Sequence, residues 1–415
     1  MLVLGAGGFV GGAIAAALRR AGHEVVAAGR DVARLHFPEV AEIDLRHCLG
    51  PGDWAAPLES IDAVVNSAGL LQAPPAEMMA VHRDAVAALA DACVRAKVRL
   101  VHISAASADA GIDTDYARSK AEGEAAIRAS QADWVILRPS LVWSPTGSYG
   151  GTSALRGFAG LPGWVPLIED GAQLFTPITT EDLAAGVARL VAPAAPSRVT
   201  LEPGGPQDLT MREIIELQRA WLGLPPVRFV KLPLWLVAGV CRIGDALRLG
   251  PITTTSLAQV RAGNSVQPAG FAEATGLLPA AMADALAEHP AQEQDRWHAR
   301  LYFAEPMIRL VLALLWLVSG LVGLFYEAEA IRAMVGDLVW LGRLASLADL
   351  ALAAWVLSGR AVVVCDLVQI ALIASYTVGL TFLAPWLWGD PFGSLLKNLP
   401  ILALIAVHMA LVARR

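Results

Sequence analysis

Tyr116 and Lys120 stand four positions apart in Tyr116–Ser130, a stretch of helical composition and spacing. Positions i and i+4 share one face of a helix. An ammonium group beside a phenol stabilises the phenolate and lowers the tyrosine pKa, preparing it to exchange a proton with a carbonyl or an alcohol. Elsewhere, Gly5-Ala6-Gly7-Gly8-Phe9-Val10-Gly11 follows a short apolar run and opens a helical one. Glycines at 5, 8 and 11 permit a tight turn, close backbone approach to a diphosphate, and close packing of helix on strand. The helix N-terminus then offers N–H donors and its positive dipole end to the anion. Such glycine spacing is weak evidence alone, but the strand–loop–helix setting is the one dinucleotide binding requires. The next apolar run ends Ala27-Ala28-Gly29-Arg30, where a site preferring NAD usually carries an acidic residue for the ribose hydroxyls. Arg30, with Arg34 one turn on, suits a 2′-phosphate through charge-assisted, forked hydrogen bonds. The expected coenzyme is therefore NADP(H) over NAD(H), against the competing reading of Arg30 as a solvated surface residue.

These groups need a frame. Met1–Leu4, Glu24–Ala28, Ala63–Val65, Arg99–Ile103 and Trp134–Leu137 read as strands, and Gly11–Ala21, Met78–Ala96 and Tyr116–Ser130 as helices between them. Such alternation of apolar strands with helices implies an α/β domain with a doubly wound parallel sheet covered on both faces. Beyond residue 141 the pattern loosens into Gly/Pro-rich loops, Ser144–Gly151 and Leu161–Pro166 among them. A helix at Thr180–Leu190, a strand at Arg198–Leu201 and a helix from Met211 to Leu222 follow, the last with Thr210 as N-cap and Glu213 completing a capping box. These form a small lobe over the sheet, its pocket wall supplied by Trp143–Tyr149. Residues 221–305 are read as a connecting region. Within it Pro233–Leu249, with Trp235, Arg242 and Arg248, fits either a helix in the membrane interface or a buried one.

Over residues 1–220 the motifs, taken in order, resemble the extended or atypical branch of the short-chain dehydrogenase/reductase superfamily. The glycine spacing matches, as does Tyr116-Ala-Arg-Ser-Lys120 to Tyr-x-x-x-Lys. Asp44-Leu45 matches the acidic position near the adenine, and Asn66-Ser67-Ala68-Gly69 resembles the Asn-x-Ala-Gly segment. Arg138-Pro139-Ser140 resembles the segment after the strand that passes the nicotinamide. The resemblance implies a Rossmann-like fold. It also implies a coenzyme site drawing on Gly5, Gly7, Gly8, Phe9, Val10, Gly11, Arg30, Arg34, Asp44, Leu45, Asn66, Ala68, Gly69, Lys120 and Pro139. Tyr116 would be the acid/base, and Lys120 would lower its pKa and bind the ribose. A serine that binds the substrate oxygen is the third catalytic member. Here the strand ends Ile103-Ser104-Ala105-Ala106-Ser107, with alanine at the two positions where many relatives carry that serine. Ser104 is the first candidate, Ser107 the second, and a missing donor the third possibility.

The composition divides the 415 residues in two. Residues 306–415 hold 7 Lys/Arg and 6 Asp/Glu, leaving 57 of the 70 charged residues to the first 305. The body carries net charge −7 and no basic stripe, which excludes nucleic acid as an expected partner. Four scattered cysteines with no CxxC and no His/Cys ligand spacing point away from disulfides and structural zinc, and toward a reducing compartment. The leading residues lack a signal-peptide pattern, so the body is expected in the cytoplasm.

Four apolar segments in the tail, Met307–Tyr326, Leu338–Leu357, Ala361–Phe382 and Leu395–Val412, are read as an all-α four-helix transmembrane bundle. Arg296, Arg300, Arg309, Arg360, Arg414 and Arg415 flank one side, and Glu327, Glu329, Asp337 and Asp390 the other. The positive-inside bias places both termini in the cytoplasm of a multi-pass inner-membrane protein. The tail resembles the DoxX-like membrane family on four spans and the run from Arg309 to Gly320. Asp349, Asp366 and His408 lie within spans and are expected to cluster, with Arg343 beside Ser346.

The combined expectation is a membrane-anchored NADP(H)-dependent oxidoreductase acting on a carbonyl or alcohol of a lipophilic substrate, with the bilayer as partner. Two other readings stay open. One is a non-catalytic NADPH-binding membrane module, such as the accessory subunit of respiratory complex I that some atypical relatives resemble. The other is a nucleotide-sugar epimerase or dehydratase.

Overall fold

The computed structural model describes residues 1–108, 111–247, 252–329, 332 and 336–412. Arg248, Arg414 and Arg415 lie outside them. The chain divides into two compact units. One comprises Met1–Cys241 and Pro251–Ala299, the other Arg242–Gly250 and Arg300–Arg415.

The first unit begins β1 (Leu2–Leu4), α1 (Phe9–Arg20), β2 (Val26–Gly29), β3 (Glu39–Glu42), β4 (Ala63–Asn66), α2 (Pro75–Met79), α3 (Ala85–Ala96), β5 (Arg99–Ile103), α4 (Asp115–Ala129) and β6 (Trp134–Leu137). It continues β7 (Val142–Trp143), α5 (Gly151–Gly160), β8 (Trp164–Ile168), β9 (Leu174–Phe175), β10 (Ile178–Thr179), α6 (Thr180–Leu190), β11 (Val199–Leu201), β12 (Leu209–Thr210), α7 (Met211–Trp221), β13 (Arg228–Leu232) and α8 (Leu234–Leu247), whose residues from Arg242 on belong to the second unit. Helices α9 (Thr254–Ala262), α10 (Ala269–Thr275), α11 (Met282–Glu288) and α12 (Glu293–Leu301) follow.

Seven strands form one sheet in the order β11-β6-β5-β4-β1-β2-β3, every pair parallel. Side chains alternate between its faces. Val3, Val65, Val101 and Val135 pack with Ile14 and Leu18 of α1 and with Leu183 and Val187 of α6. Leu2, Leu4, Val64, Leu100 and Ile136 pack on the other face with Val86 and Leu89 of α3 and Ile127 of α4. Both faces are dry, which is why these strands read as unbroken apolar runs. The sequence pattern misses β3, a sheet edge whose Glu-Val-Ala-Glu has no apolar run. Exposed charge on such an edge blocks further pairing.

The helix expected at Met78–Ala96 is interrupted. Between α2 and α3 the turn Ala80–Asp84 is π-helical, and its His82 carbonyl lies 2.0 Å from where a Cβ on Gly123 of α4 would stand. Glycine at 123 is what lets the widened turn pack against α4.

Over the sheet, α5, α7 and α11 enclose a second core with Trp143, Leu155, Val165, Ile214, Ile215, Met282 and Leu286. The capping box forms as expected: Glu213 N–H donates to Thr210 Oγ1 at 3.1 Å, and Thr210 N–H to Glu213 Oε2 at 2.7 Å. Much of the expected connecting region is part of this unit. Phe271 of α10 is fully buried in the sheet core, against Gly186 of α6, where an added Cβ would stand 2.2 Å from the ring.

The second unit contains α13 (Ala304–Phe325), α14 (Val339–Ser358), α15 (Val362–Leu383) and α16 (Asn398–Val412). Helices α13, α14 and α15 have the length and apolarity to cross a membrane. The fourth expected span is shorter than proposed: Leu395–Lys397 turn, and α16 has 15 residues. At about 1.5 Å per residue that is roughly 22 Å, less than the roughly 30 Å of a hydrocarbon core. Gly320 and Gly323 allow α13 to approach α14, since a Cβ there would lie 2.7 Å from Leu350 Cγ and 2.4 Å from Ser346 Oγ. Small residues serve this purpose in membrane bundles.

The polar residues of the apolar helices form separate groups. His408 Nδ1 pairs with Asp366 Oδ2 at 2.8 Å, and Asp366 Oδ1 accepts from Gln369, whose own oxygen accepts from Trp316. Asp349 instead accepts from Ser319 Oγ at 2.7 Å and Tyr376 OH at 2.9 Å. No hydrogen bond joins Asp349 to Asp366 or His408 among the described residues, so the expected three-member cluster is not what forms. Nor does Arg343 bond Ser346. It donates to the carbonyls of Gly323, Leu324 and Tyr326, closing the α13 C-terminus, while Ser346 donates to Gly342 O. Those carbonyls have no partner within their helix, and a cation there also meets the negative dipole end.

Candidate functional site

The glycine loop turns at Gly5, whose φ is +77° and whose added Cβ would lie 2.8 Å from Ala68 N. At Gly11 a Cβ would stand 2.2 Å from Gly5 O and 2.5 Å from Ser67 Oγ. Both positions therefore admit only glycine, and they press α1 onto the loops after β1 and β4. Gly7 and Gly8 are exposed, with Phe9 and Val10 half-buried beside them. Gly8 caps α1 without a side-chain hydrogen bond, and the first turn holds no acidic residue. First-turn amides are thus unclaimed by a capping side chain and open to an anion. This cradle fits a dinucleotide diphosphate.

The residues expected around the adenine and ribose are more varied. Arg30 is exposed just past β2 and has no ion-pair partner among the described residues. Arg34, also exposed, pairs with Asp31 at 2.9 Å. Asp44 is gripped by the Arg46 side chain and backbone amide, and the hydrogen bond from that guanidinium holds its carboxyl below the usual range. Leu45 is core. Asn66 faces inward: its Oδ1 accepts from Ala68 N–H at 3.2 Å, and its Nδ2 donates to His102 Nδ1 at 3.2 Å. It shapes the Ser67–Gly69 turn. Pro139 O accepts from Ala106 N–H at 3.3 Å, tying the loop after β5 to that after β6.

Gly69 brings that turn to the α4 residues. A Cβ on it would lie 3.3 Å from Lys120 Nζ and 3.4 Å from His82 Nε2. Lys120 is buried and donates to Ile103 O at 3.1 Å. Burial brings its pKa down to about 8, against the upward pull of Glu124. Tyr116, half-buried, packs edge-on to His82 with ring centroids 5.7 Å apart. Burial pushes its phenol up to about 12. This is opposite to the lowering that the Tyr–Lys spacing suggests. In this arrangement the ammonium is engaged with a carbonyl, and desolvation of the phenolate dominates.

Four polar residues that the sequence reading passed over organise this corner. Leu70 N–H donates to His82 Nε2 at 2.9 Å, so His82 Nδ1 carries the proton and donates to Ser119 Oγ at 2.8 Å. Ser119 in turn donates to Tyr116 O at 3.0 Å. Burial, with the Lys120 charge, brings His82 down to about 3 and keeps it neutral. Glu124, fully buried, accepts from Ser104 Oγ, from Arg138 and from Arg128. His102, beneath Asn66, is held well below its ordinary pKa by burial. Signals existed: Glu124 is one turn beyond Lys120, and His82 is one of 8 histidines in the chain.

The two candidate serines differ sharply. Ser104 is committed to Glu124. Ser107 is 2% exposed, and its Oγ has no hydrogen-bond partner among the described residues. A buried hydroxyl left unpaired is costly and calls for an explanation.

Loops from later in the chain surround these residues. A Cβ on Gly147 would lie 3.6 Å from Phe9 Cε2, which sets the Trp143–Tyr149 segment beside the glycine loop. Gln259 of α9 donates to Thr114 Oγ1 at 3.3 Å at the head of α4, and Gln72 reaches Thr253 Oγ1 at 3.5 Å.

Comparison with known proteins bears on the fold. Residues 5–157 match the NAD(P)H-binding family model and residues 313–406 the DoxX-like family. Among solved structures, a short-chain dehydrogenase/reductase superfamily protein from Agrobacterium tumefaciens with bound NAD is 18% identical. The match covers 74% of this chain and 98% of that one, with a TM-score of 0.55. The dTDP-glucose 4,6-dehydratase DesIV from Streptomyces venezuelae, with NAD and TYD bound, is 22% identical over 72% and 96% of the two chains, TM-score 0.54. MoeE5 in complex with UDP-glucose and NAD is 20% identical over 69% and 96%, TM-score 0.53. At these identities the likeness is one of fold. No curated protein matches the chain.

Proposed function

We propose, for a chain that joins an NAD(P)-binding domain of dehydrogenase and epimerase fold to a C-terminal DoxX-like domain, a membrane-anchored NADP(H)-dependent oxidoreductase acting on a carbonyl or alcohol. The observation that carries this reading is the buried Lys120 ammonium, which lies against the Gly69 turn and bonds Ile103 O at the end of β5, four residues before Ser107, whose hydroxyl has no hydrogen-bond partner among the described residues. The bound coenzyme supplies the hydride. Tyr116 gives or takes the proton at the substrate oxygen, and Lys120 holds the ribose side of the site through its ammonium. Ser107 Oγ donates to the same substrate oxygen, which would account for its unmatched donor. His82 acts through Ser119 to fix the Tyr116 backbone, and burial keeps its own imidazole neutral, so that no second cation competes with Lys120.

Arg30 favours the phosphorylated coenzyme, since its guanidinium is exposed without an ion-pair partner among the described residues where the 2′-oxygen would lie. A substrate drawn from the bilayer fits a reductase carried on membrane helices, with the body on the cytoplasmic side of the inner membrane. The arginines flanking α13 and following α14 support that orientation.

Purified full-length protein should oxidise NADPH with a lipophilic carbonyl acceptor. Tyr116→Phe should lose about 10²–10⁴ in rate while retaining coenzyme affinity. Arg30→Ala should lose the preference for NADPH over NADH. A second reading, a non-catalytic NADPH-binding module, is favoured by the raised Tyr116 pKa and by Ala105 and Ala106. Tight coenzyme binding with no turnover across a broad acceptor panel would select it. Failure to bind either coenzyme would end both readings.

A further inference from the structure

Helix α8 turns its apolar side outward. Trp235, Leu236, Val240 and Ile243 are 75%, 38%, 46% and 56% exposed. At about 100° per residue these four, with Gly239, occupy one half of the helix circumference. Cys241 and Gly244 on the other half are buried, and exposed Arg242 borders the stripe. A surface helix of a water-soluble protein does the reverse, burying its apolar stripe against the core.

The strand before it repeats the arrangement. In the parallel pair β8–β13, Trp164, Pro166 and Ile168 share a face with Arg228, Val230 and Leu232. Trp164 and Val230 are 53% and 40% exposed, whereas Val165 and Leu167 on the opposite face are buried. Pro233 alone separates β13 from α8. The first unit thus shows apolar surface in the β8–β13 pair, with Trp164 and Arg228, and in the opening turns of α8, with Trp235, and the same helix carries Arg242 and Ile243 on into the second unit.

We propose that this face is a monotopic membrane surface, seated at the headgroup–acyl boundary of an anionic bilayer. The same chain carries three helices with the length and apolarity to span one, which keeps a bilayer at hand for the first unit. Tryptophan suits that boundary because its ring is apolar and its N–H is polar. Arg228 and Arg242 match anionic headgroups, with Asp245 the acidic residue on α8. A second copy of the chain is the alternative occupant. The proposal does not depend on the reaction assigned to the site.

The test uses full-length protein, one copy per nanodisc, with phosphatidylcholine and phosphatidylglycerol in equal parts. An environment-sensitive fluorophore is placed at Ile243→Cys, Val240→Cys and, as a control, Leu278→Cys, which is 92% exposed on the first unit. Unsubstituted protein supplies the background from the native thiols. Blue-shifted emission and severalfold stronger quenching by nitroxide lipids at 243 and 240 than at 278 are expected, declining when phosphatidylglycerol is omitted. Quenching no stronger than at 278 would overturn the proposal. So would protection from both nitroxide lipid and aqueous iodide, since protein would then cover the face. Intermolecular disulfides through Ile243→Cys in multi-copy discs, without lipid quenching, would assign the face to a second copy.

Discussion

Two serines close the loop after β5, and their surroundings give them different work. Ser107→Ala is expected to lower turnover by about 10²–10³, the usual loss for one donor to a developing oxyanion. Its thermal midpoint should hold, because no partner is left stranded. Ser104→Ala should instead destabilise by about 1–3 kcal/mol, since it withdraws a donor from a fully buried carboxylate. Paired kinetic and thermal-shift measurements check both. His82 adds a pH dependence. Its pKa falls from 6.5 to about 3 on folding, so the unfolded chain takes up the proton first. The stability it permits is complete above pH 6.5 and is lost as pH falls toward 3, with His102 acting in the same direction. His82→Gln should flatten the acid side of a midpoint-against-pH plot even while lowering the midpoint near neutrality. A parallel downward shift with unchanged slope would refute the buried neutral imidazole. The sequence marks Ser104 and Ser107 as candidates but not their different surroundings, because a lone histidine or glutamate says nothing about its depth until the helices around it are packed.

Elements were legible where a single periodicity ruled. The strands at Arg99–Ile103 and Trp134–Leu137 and the helix Thr180–Leu190 fall where their apolar content puts them. The π turn at Ala80–Asp84 was not, because its cause lies on another helix, in the space Gly123 leaves. The separate partners of Asp349 and of Asp366 with His408 were equally hidden, because rotation about a helix axis depends on neighbours. Close approach of α13 and α14 makes the sharpest element-scale prediction. Gly320→Val should lower the midpoint of the detergent-solubilised protein by an overpacking cost of about 1–3 kcal/mol. Coenzyme affinity, measured by calorimetry on the same sample, should stay unchanged.

For the whole molecule, composition alone separated an apolar tail from a charged body. The loops and short helices of residues 221–299 resisted reading because they owe their conformation to the surfaces they cover. Alkaline carbonate should fail to strip the protein from membranes, as expected of helices of bilayer length. Release into the supernatant would mean that the apolar helices are buried in protein instead.

The ring of Phe271 bears on how the molecule can be cut. It plugs the sheet core opposite Gly186, though it lies some fifty residues past the apparent end of the nucleotide-binding motifs. A gene fragment stopped at residue 220 would leave that plug behind and open a hole beside α6. Expression trials of the first unit therefore need a fragment that extends past α10 and keeps Phe271 in place.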